Sequence, residues 1–487
     1  MKAGFEAVIG LEVHVQLLTR SKMFCACPNR YGGEPNTRTC PVCLGLPGTL
    51  PVLNGAAVRM AIALGLALEG RIQARSTFYR KQYFYPDLPK GYQITQGPVP
   101  VVQGGRLRIP GDPQVRSGAG LVEVGVERVH LEEDAGKSNH DPVSGCSFVD
   151  LNRAGVPLLE IVGAPHLRSG QEAYDYLKAV HRLVTFLGIC DGNLEEGSMR
   201  CDANVSLHRP GDPLGTRVEV KNINSFRFVR QALDFEIGRQ VALAEQGQGF
   251  PPETRGWDAS TGETRSLRGK EAAMDYRYFP EPDLPALVIA PAEIEAVRRT
   301  LPELPEARFT RFQAQYGVSG PEAATLLQSL AFADFFEAVA AAGNPRQAAN
   351  WMLGEVSRTL NERGLVIQDL GLGAAHLGEL IGLVERGTIT LKTAKETVYP
   401  ALLAGEGGPG AVVARLGLGQ VSDRDLIVAL AQTVLGANPA QLAQYRAGKG
   451  NLRGFFVGQV MKAGQGRVNP QVVNQVLDQL LAVVEEP

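Results

Sequence analysis

The sequence predicts an α+β protein: a mostly antiparallel N-terminal sheet, then an all-α middle region and a small helical tail. Three observations predict it. Four short stretches alternate strictly between apolar and polar residues. A proline-rich connector then leads into helical patterning, and a glycine-rich break sets off the tail.

In residues 11–17, Leu11, Val13, Val15 and Leu17 alternate with Glu12, His14 and Gln16. In Met199–His208, Met199, Cys201, Ala203, Val205 and Leu207 alternate with Arg200, Asp202, Asn204, Ser206 and His208. Arg217, Glu219 and Lys221 alternate with Val218 and Val220, and Leu158, Glu160 and Val162 with Pro157, Leu159 and Ile161. Period two puts each set on one face, so these read as half-buried strands. An ordinary solvated face usually carries Lys, Thr, Ser and Glu. This one is rich in His, Asn, Asp and Arg, which favours a ligand-binding sheet over plain solvation.

The 487 residues suggest about three domains at ~150 residues each. A net charge of −2 gives no sign of a polyanion partner, and none against one met by a local basic surface. No apolar run approaches the ~20 residues that span a bilayer, and the N-terminus passes into a strand with no signal or transit pattern. The expectation is a cytoplasmic protein.

Cys25, Cys27, Cys40 and Cys43 cluster as C-x-C-(x12)-C-x-x-C, while Cys146, Cys190 and Cys201 are dispersed. Two close pairs joined by a short loop can place four thiolates around one tetrahedral Zn²⁺, with no open position for water and hence a structural role. A reduced cluster without metal is the alternative. The three dispersed cysteines read as packing residues.

Within the first part, to about Pro285, Ser169-Gly170-Gln171-Glu172 forms a capping box. Ala173, Tyr176, Leu177, Val180, Val184 and Leu187 follow at helical spacing, with His181 on the rim. Asn54 caps a helix through Val58, Ile62 and Leu66. The connector holds Pro280, Pro282, Pro285, Pro291, Pro302 and Pro305. Residues 322–342 then read as helical, ended by Gly343-Asn344-Pro345, and residues 405–410 as a flexible break. In the tail, Asn469-Pro470 starts a helix with the stripe Val473, Val476, Leu477, Leu480 and Val484. Between Asp425 and Asp478 there is no acidic residue, against Arg446, Lys449, Arg453, Lys462 and Arg467. Solvation and phosphate contact explain that basic stretch equally well. The domains expected are residues 1–290, 291–404 and 411–487.

Several acidic and imidazole groups are candidates for convergence: Glu12 and His14; Glu132, Glu133 and Asp134; Asp150, Asn152 and Glu160; and Asp202. One His with several carboxylates suits Mg²⁺ or Mn²⁺ better than zinc, and Mg²⁺ points toward nucleotide chemistry. Separate surface carboxylates remain the alternative. Gly136-Lys137-Ser138 looks like the end of a P-loop, but Leu131 stands where the earlier glycine belongs, so the motif fails. Gly136 and Lys137 are left as a looser phosphate loop. There is no dinucleotide fingerprint, zincin helix, nucleophile elbow or glycine–serine-rich amidase loop, so any ammonia used must come from another chain. Residues 80–90 and 275–283 combine aromatics with Arg and Lys, which suits either base stacking or packing corners.

The segment VDLNRAGVPLLEI at 149–161 resembles the signature of the B subunits of tRNA-dependent amidotransferases. The resemblance continues in IGLEVH (9–14), YFYPDLPK (83–90), HLEEDAGKS (130–138), EEGSMRCDAN (195–204), KNINSF (221–226), DYRYFPEPD (275–283) and GFFVGQVMK (454–462). It covers nearly the whole chain. It implies a cradle-like catalytic domain within a heterotrimer that converts Glu-tRNA(Gln) or Asp-tRNA(Asn) to the amidated form. In such a complex an amidase-type A subunit releases ammonia, a small C subunit clamps the larger two, and the B subunit phosphorylates the misacylated carboxylate with ATP.

By that resemblance His14, Glu133 and Glu160 hold Mg²⁺, with Glu12 and Glu132 as close alternatives, and the Cys₄ cluster is similar to a zinc knuckle of some members. The helical and tail domains would hold the tRNA body. Charge and position add Lys137, Arg153 and Arg200 as phosphate contacts, with Asp202 beside them. The competing reading is a non-catalytic, zinc-stabilised tRNA-binding scaffold. A metal-dependent hydrolase is a weaker third, since no water-activating constellation is visible.

Overall fold

In the computed structural model, described for residues 4–118, 120–141, 143–269, 275–420, 424–464 and 468–482, the chain divides into two compact units, Met1–Ala307 and Arg308–Pro487. Arg467 and Val484 lie outside the described residues.

The first unit is built on β1 (Glu6–Gln16), α1 (Gly55–Ala67), β2 (Phe78–Gln82), β3 (Tyr92–Gln96), β4 (Leu121–Glu133), β5 (Pro157–Gly163), α2 (Gly170–Phe186), β6 (Met199–His208), β7 (Val218–Lys221), α3 (Phe226–Glu245), β8 (Glu253–Asp258) and β9 (Glu263–Gly269). These strands run in the order β9-β8-β7-β6-β1-β5-β4-β3-β2 within one thirteen-stranded sheet. Neighbours on that path are antiparallel except β7 and β8, which the α3 crossover leaves parallel. The mostly antiparallel α+β expectation holds.

Alternation in β1 and β6 places Leu11, Val13, Val15, Cys201, Ala203 and Val205 in one core with Val58 and Ile62 of α1, Tyr176 and Val180 of α2, and Val229 and Leu233 of α3. Each buried Val, Leu or Ile side chain among them contributes roughly 1.5–3 kcal/mol, and this burial holds the opposite, polar face in place. In β5 only Glu160 is accessible; Leu158 and Val162 are buried as well. The half-buried reading of β5 therefore fails, because Leu158 and Val162, which share a face with Glu160, are covered as well.

Asn54 caps α1, accepting from Ala56 N at 2.9 Å. Ser169 caps α2 through Glu172 N. Glu172 does not complete the box: its carboxylate accepts from Arg168 N at 2.9 Å and pairs with Arg116, a stronger partner than the cap amide. In the connector, Pro291 and Pro305 open the helices Pro291–Thr300 and Pro305–Tyr316, where a missing N–H costs nothing. Of the dispersed cysteines, Cys190 and Cys201 are buried, but Cys146 is exposed at the end of a short ribbon and packs no core.

In the second unit the stretch 322–342 is two helices, Gly320–Leu326 and Leu330–Ala342, because Ser329 caps a new start at Phe332 N. The break at 405–410 is shorter than expected: Pro409 already opens Pro409–Leu416, whose Gly410 N donates to Glu379 at 3.0 Å. Val473, Val476 and Leu477 enter a tail core with Ile427, Phe456 and Val460. Arg446, Lys449 and Lys462 are exposed, whereas Arg453 pairs with Asp478 at 2.6 Å. Among the described residues no single helix is long and apolar enough to cross a membrane.

Glu337 gives this unit an acid dependence. Although burial opposes its ionisation, hydrogen bonds from Arg311 and Tyr316 and the Arg308 guanidinium hold Glu337 down to about 2, below an ordinary 4.5. A depressed carboxylate stabilises the fold above its unfolded value and loses that contribution as pH falls through the folded one. With partial exposure discounted, about 1–2 kcal/mol should disappear between roughly pH 4.5 and pH 2. Acid unfolding of Glu337→Gln that matches wild type step for step would refute this.

Candidate active site

Strand register assembles the centre of the polar face. His14 of β1 stands opposite Glu160 of β5, and Glu160 opposite His130 of β4. His14 Nε2 lies 3.6 Å from Glu132 Oε1 and 3.8 Å from Glu160 Oε1. His130 Nδ1 meets Glu160 Oε2 at 3.2 Å, and its buried Nε2 has no partner among the described residues. Thr95 Oγ1 donates to Glu132 Oε2 at 3.0 Å.

Burial, then the Glu160 carboxylate, push Glu132 up to about 8. Burial opposes the ionisation of Glu160 too, but the His130 hydrogen bond and the nearby imidazoles hold it at about 2. Burial lowers His14 and so favours its neutral, ligating form. The Glu160 charge thus favours a protonated Glu132, while Lys81 acts on both carboxylates in the other direction. His14 stands within 4 Å of each carboxylate, but the three donors do not all lie within 4.8 Å of one another, a closeness that among the described residues only the four clustered cysteines reach.

Glu133 does not join them. It points to the other face of β4, where it pairs with Lys90 and accepts from Ile94 N at 3.0 Å. The set brought together is therefore His14, Glu132 and Glu160, with the alternative Glu132 in place of Glu133. The signal was present in the sequence. Arg128, His130 and Glu132 alternate with Val129 and Leu131, which puts Glu133 on the apolar side. Glu12 lies two residues along the same face, accepting from Asn204 Nδ2 at 3.0 Å. Its pKa is raised by burial, then by the Glu160, Asp202 and Glu219 carboxylates.

Lys137, Arg153, Arg200 and Asp202 line one cavity of about 680 Å³, together with Arg30, Asn152, Lys221 and Asn224. Buried Asp134 organises its rim, accepting from Arg200 at 2.8 Å and from Gln16 at 2.7 Å, with Arg153 Nε at 3.7 Å. These guanidinium groups hold Asp134 below the usual carboxylate range against the burial that opposes it. Asp202 is held by Lys221 at 2.8 Å, a contact that alternation alone did not reveal. Arg153 donates to Ala135 O at 2.9 Å and Gly136 O at 2.5 Å, so part of its guanidinium braces the loop that bears Lys137. Gly136 admits no side chain there, since a Cβ would meet Asp87 O and Asp150 O at 2.9 Å.

The aromatic loops form a row, Tyr85–Tyr83–Tyr276–Tyr278, edge to face at 5.9–6.3 Å, with Lys81 Nζ 4.9 Å above Tyr276. Phe84 is 81% exposed, which no packing corner requires.

The four clustered thiols lie within 4.8 Å of one another, and Cys40 and Cys43 Sγ are 3.9 Å apart. Zn–S bonds of ~2.3 Å give a tetrahedral edge of roughly 3.8 Å, so the donor set is compatible with a structural metal. The Cys43 thiol is drawn down to about 4 by a hydrogen bond from Cys25, and Lys22 adds to the effect.

A sheet face that sets a His–carboxylate cluster beside a wall of ammonium and guanidinium groups suits an enzyme that acts on anionic substrates. Residues 7–295 match the GatB/GatE catalytic domain and residues 334–481 the GatB domain, and the chain belongs to the GatB/GatE family. It is 52% identical over 479 residues to the B subunit of the aspartyl/glutamyl-tRNA(Asn/Gln) amidotransferase of Geobacter sulfurreducens, covering 97% of this chain and 98% of that protein. It is 52% identical over 480 residues to the corresponding protein of Thioalkalivibrio sulfidiphilus, with 98% and 99% covered. To that of Myxococcus xanthus it is 50% identical over 481 residues, again with 98% and 99% covered.

Proposed function

We propose that this chain is the carboxylate-activating component of a tRNA-dependent amidotransferase. It would phosphorylate the side-chain carboxylate of misacylated Glu-tRNA(Gln) or Asp-tRNA(Asn) with ATP. Ammonia from an amidase-type A subunit then forms the amide as phosphate leaves, in a complex completed by a small C subunit. The observation that carries this reading is the His14–Glu132–Glu160 cluster beside the cavity lined by Lys137, Arg200 and Lys221.

The chemistry explains the arrangement. A carboxylate is a poor acyl electrophile, and bringing a second polyanion to it costs repulsion that cationic groups must offset. His14, Glu132 and Glu160 would hold Mg²⁺, which supplies charge neutralisation at the phosphates; Glu12 stands by on the same face. Lys137, Arg200 and Lys221 offset the remaining phosphate charge. Asp134 fixes Arg200 so that no reorganisation is needed as charge moves. Zn²⁺ in the Cys₄ knuckle would be structural. The exposed cations Arg446, Lys449 and Lys462 suit a tRNA backbone, and we assign tRNA holding to residues 291–404 and 411–487.

The test is ATP cleavage by the chain reconstituted with its A and C partners. Cleavage should require the misacylated tRNA and be absent with uncharged tRNA. Cleavage indifferent to the charged tRNA would place carboxylate activation elsewhere.

A further inference from the structure

The loop between the two cysteine pairs is stitched to the segment that carries Arg153, and Asn36 is the joint. Asn36 holds a left-handed backbone, φ 59°. Its N–H donates to Asp150 Oδ1 at 3.1 Å, its Nδ2 donates to Val149 O at 3.0 Å, and its Oδ1 accepts from Leu151 N at 2.8 Å. On either side Arg38 N donates to Asn152 Oδ1 at 2.8 Å, and Asn152 Nδ2 donates to Glu34 O at 2.8 Å. Fully buried Lys22 donates to Arg38 O at 2.8 Å and Leu151 O at 3.4 Å while lying 3.7 Å from Cys43 Sγ.

Beyond this seam the contacts continue into the cavity. Asp150 pairs with Lys137 across a two-stranded ribbon, and Arg153 braces the carbonyls of Ala135 and Gly136, just before Lys137. Hydrogen bonds and short stretches of backbone thus join the cysteine knuckle to Lys137 of the cavity wall. The knuckle loop itself brings Arg30 to the cavity wall, whereas Asn36 is uncharged and is not among the residues lining it. The effect of Asn36 on it is positional.

We propose that Asn36 is a positioning residue. It couples the metal-loaded knuckle to residues 149–153 and, through Arg153, holds Lys137 where a polyphosphate binds, so that stripping the knuckle metal weakens that binding. The proposal rests on reading the cavity as a nucleotide-phosphate site, and its test separates the two.

Hydrogen exchange of the full chain is followed at 149–153, with metal content measured on the same samples and MgATP as the binding probe. Asn36→Gly keeps the left-handed backbone and removes both side-chain bonds. It should retain its metal, raise exchange at 149–153 roughly tenfold and weaken MgATP binding by a similar factor. Asn36→Asp keeps the acceptor for Leu151 N and should recover part of both losses. Chelating the metal from wild type should reproduce the exchange increase. Unchanged exchange in Asn36→Gly overturns the coupling whatever MgATP does. Raised exchange with unchanged MgATP affinity overturns the phosphate placement instead, and with it the claim that the knuckle serves binding.

Discussion

Glu160→Gln should cut tRNA-dependent ATP cleavage by about 10²–10³-fold, the scale on which one preorganised electrostatic group acts, while leaving the fold intact. Glutamine keeps the volume of glutamate in a strand otherwise buried on both sides, so β5 has no reason to shift. What is lost is the negative charge that faces His14 at 3.8 Å and His130 at 3.2 Å. Because the His130 hydrogen bond and the nearby imidazoles favour the ionised carboxylate in the fold, neutralising it also removes some stability. The expected signature is therefore a large loss of activity with only a modest fall in melting temperature. Partner glutaminase activity, measured in the same complex, should remain. Cleavage equal to wild type would remove Glu160 from the chemistry.

Asp134→Asn should show stability as its first loss. The carboxylate is almost wholly buried and receives Arg200 and Gln16 directly, with Arg153 close by. Removing the charge leaves guanidinium groups facing a neutral amide, and breaking a buried pair typically costs 3–5 kcal/mol. Because Arg200 keeps about a third of its side chain accessible, the low end applies, about 3 kcal/mol. Thermal unfolding should show a fall of roughly 5 °C. Arg200→Met in the Asp134→Asn background should restore part of it, since the stranded cation is then gone. Additive losses in that double variant would show that the two residues do not act as a pair.

The sequence made the elements with clean alternation readable and left their convergence dark. β1 and β6 are legible because one face meets helices and the other meets a cavity, so polarity reports orientation directly. β5 is not, because a mid-sheet strand covered on both sides loses the contrast that period two relies on, and Leu158 and Val162 carry no label for it. The Cys₄ spacing was enough to foresee thiols within one small sphere, since both pairs are local. The pairing of Lys221 with Asp202 depends on which strands are neighbours, and no single strand encodes that. Glu133 shows a different limit. Its family motif drew attention to the acidic pair as a whole, while the alternation running through Val129 and Leu131 already separated the two acids.

The commitment of adjacent residues to opposite sides of β4 restricts how this sequence can change in length. Glu132 serves the cluster and Glu133 the Lys90 pair, so one residue gained or lost within Leu121–Glu133 would trade their places and upset both at once. Descendants of this chain can drift in the turn at 209–217, between two strands, far more freely than in the strands themselves. Substitution is open to the sheet, but insertion and deletion belong to its loops.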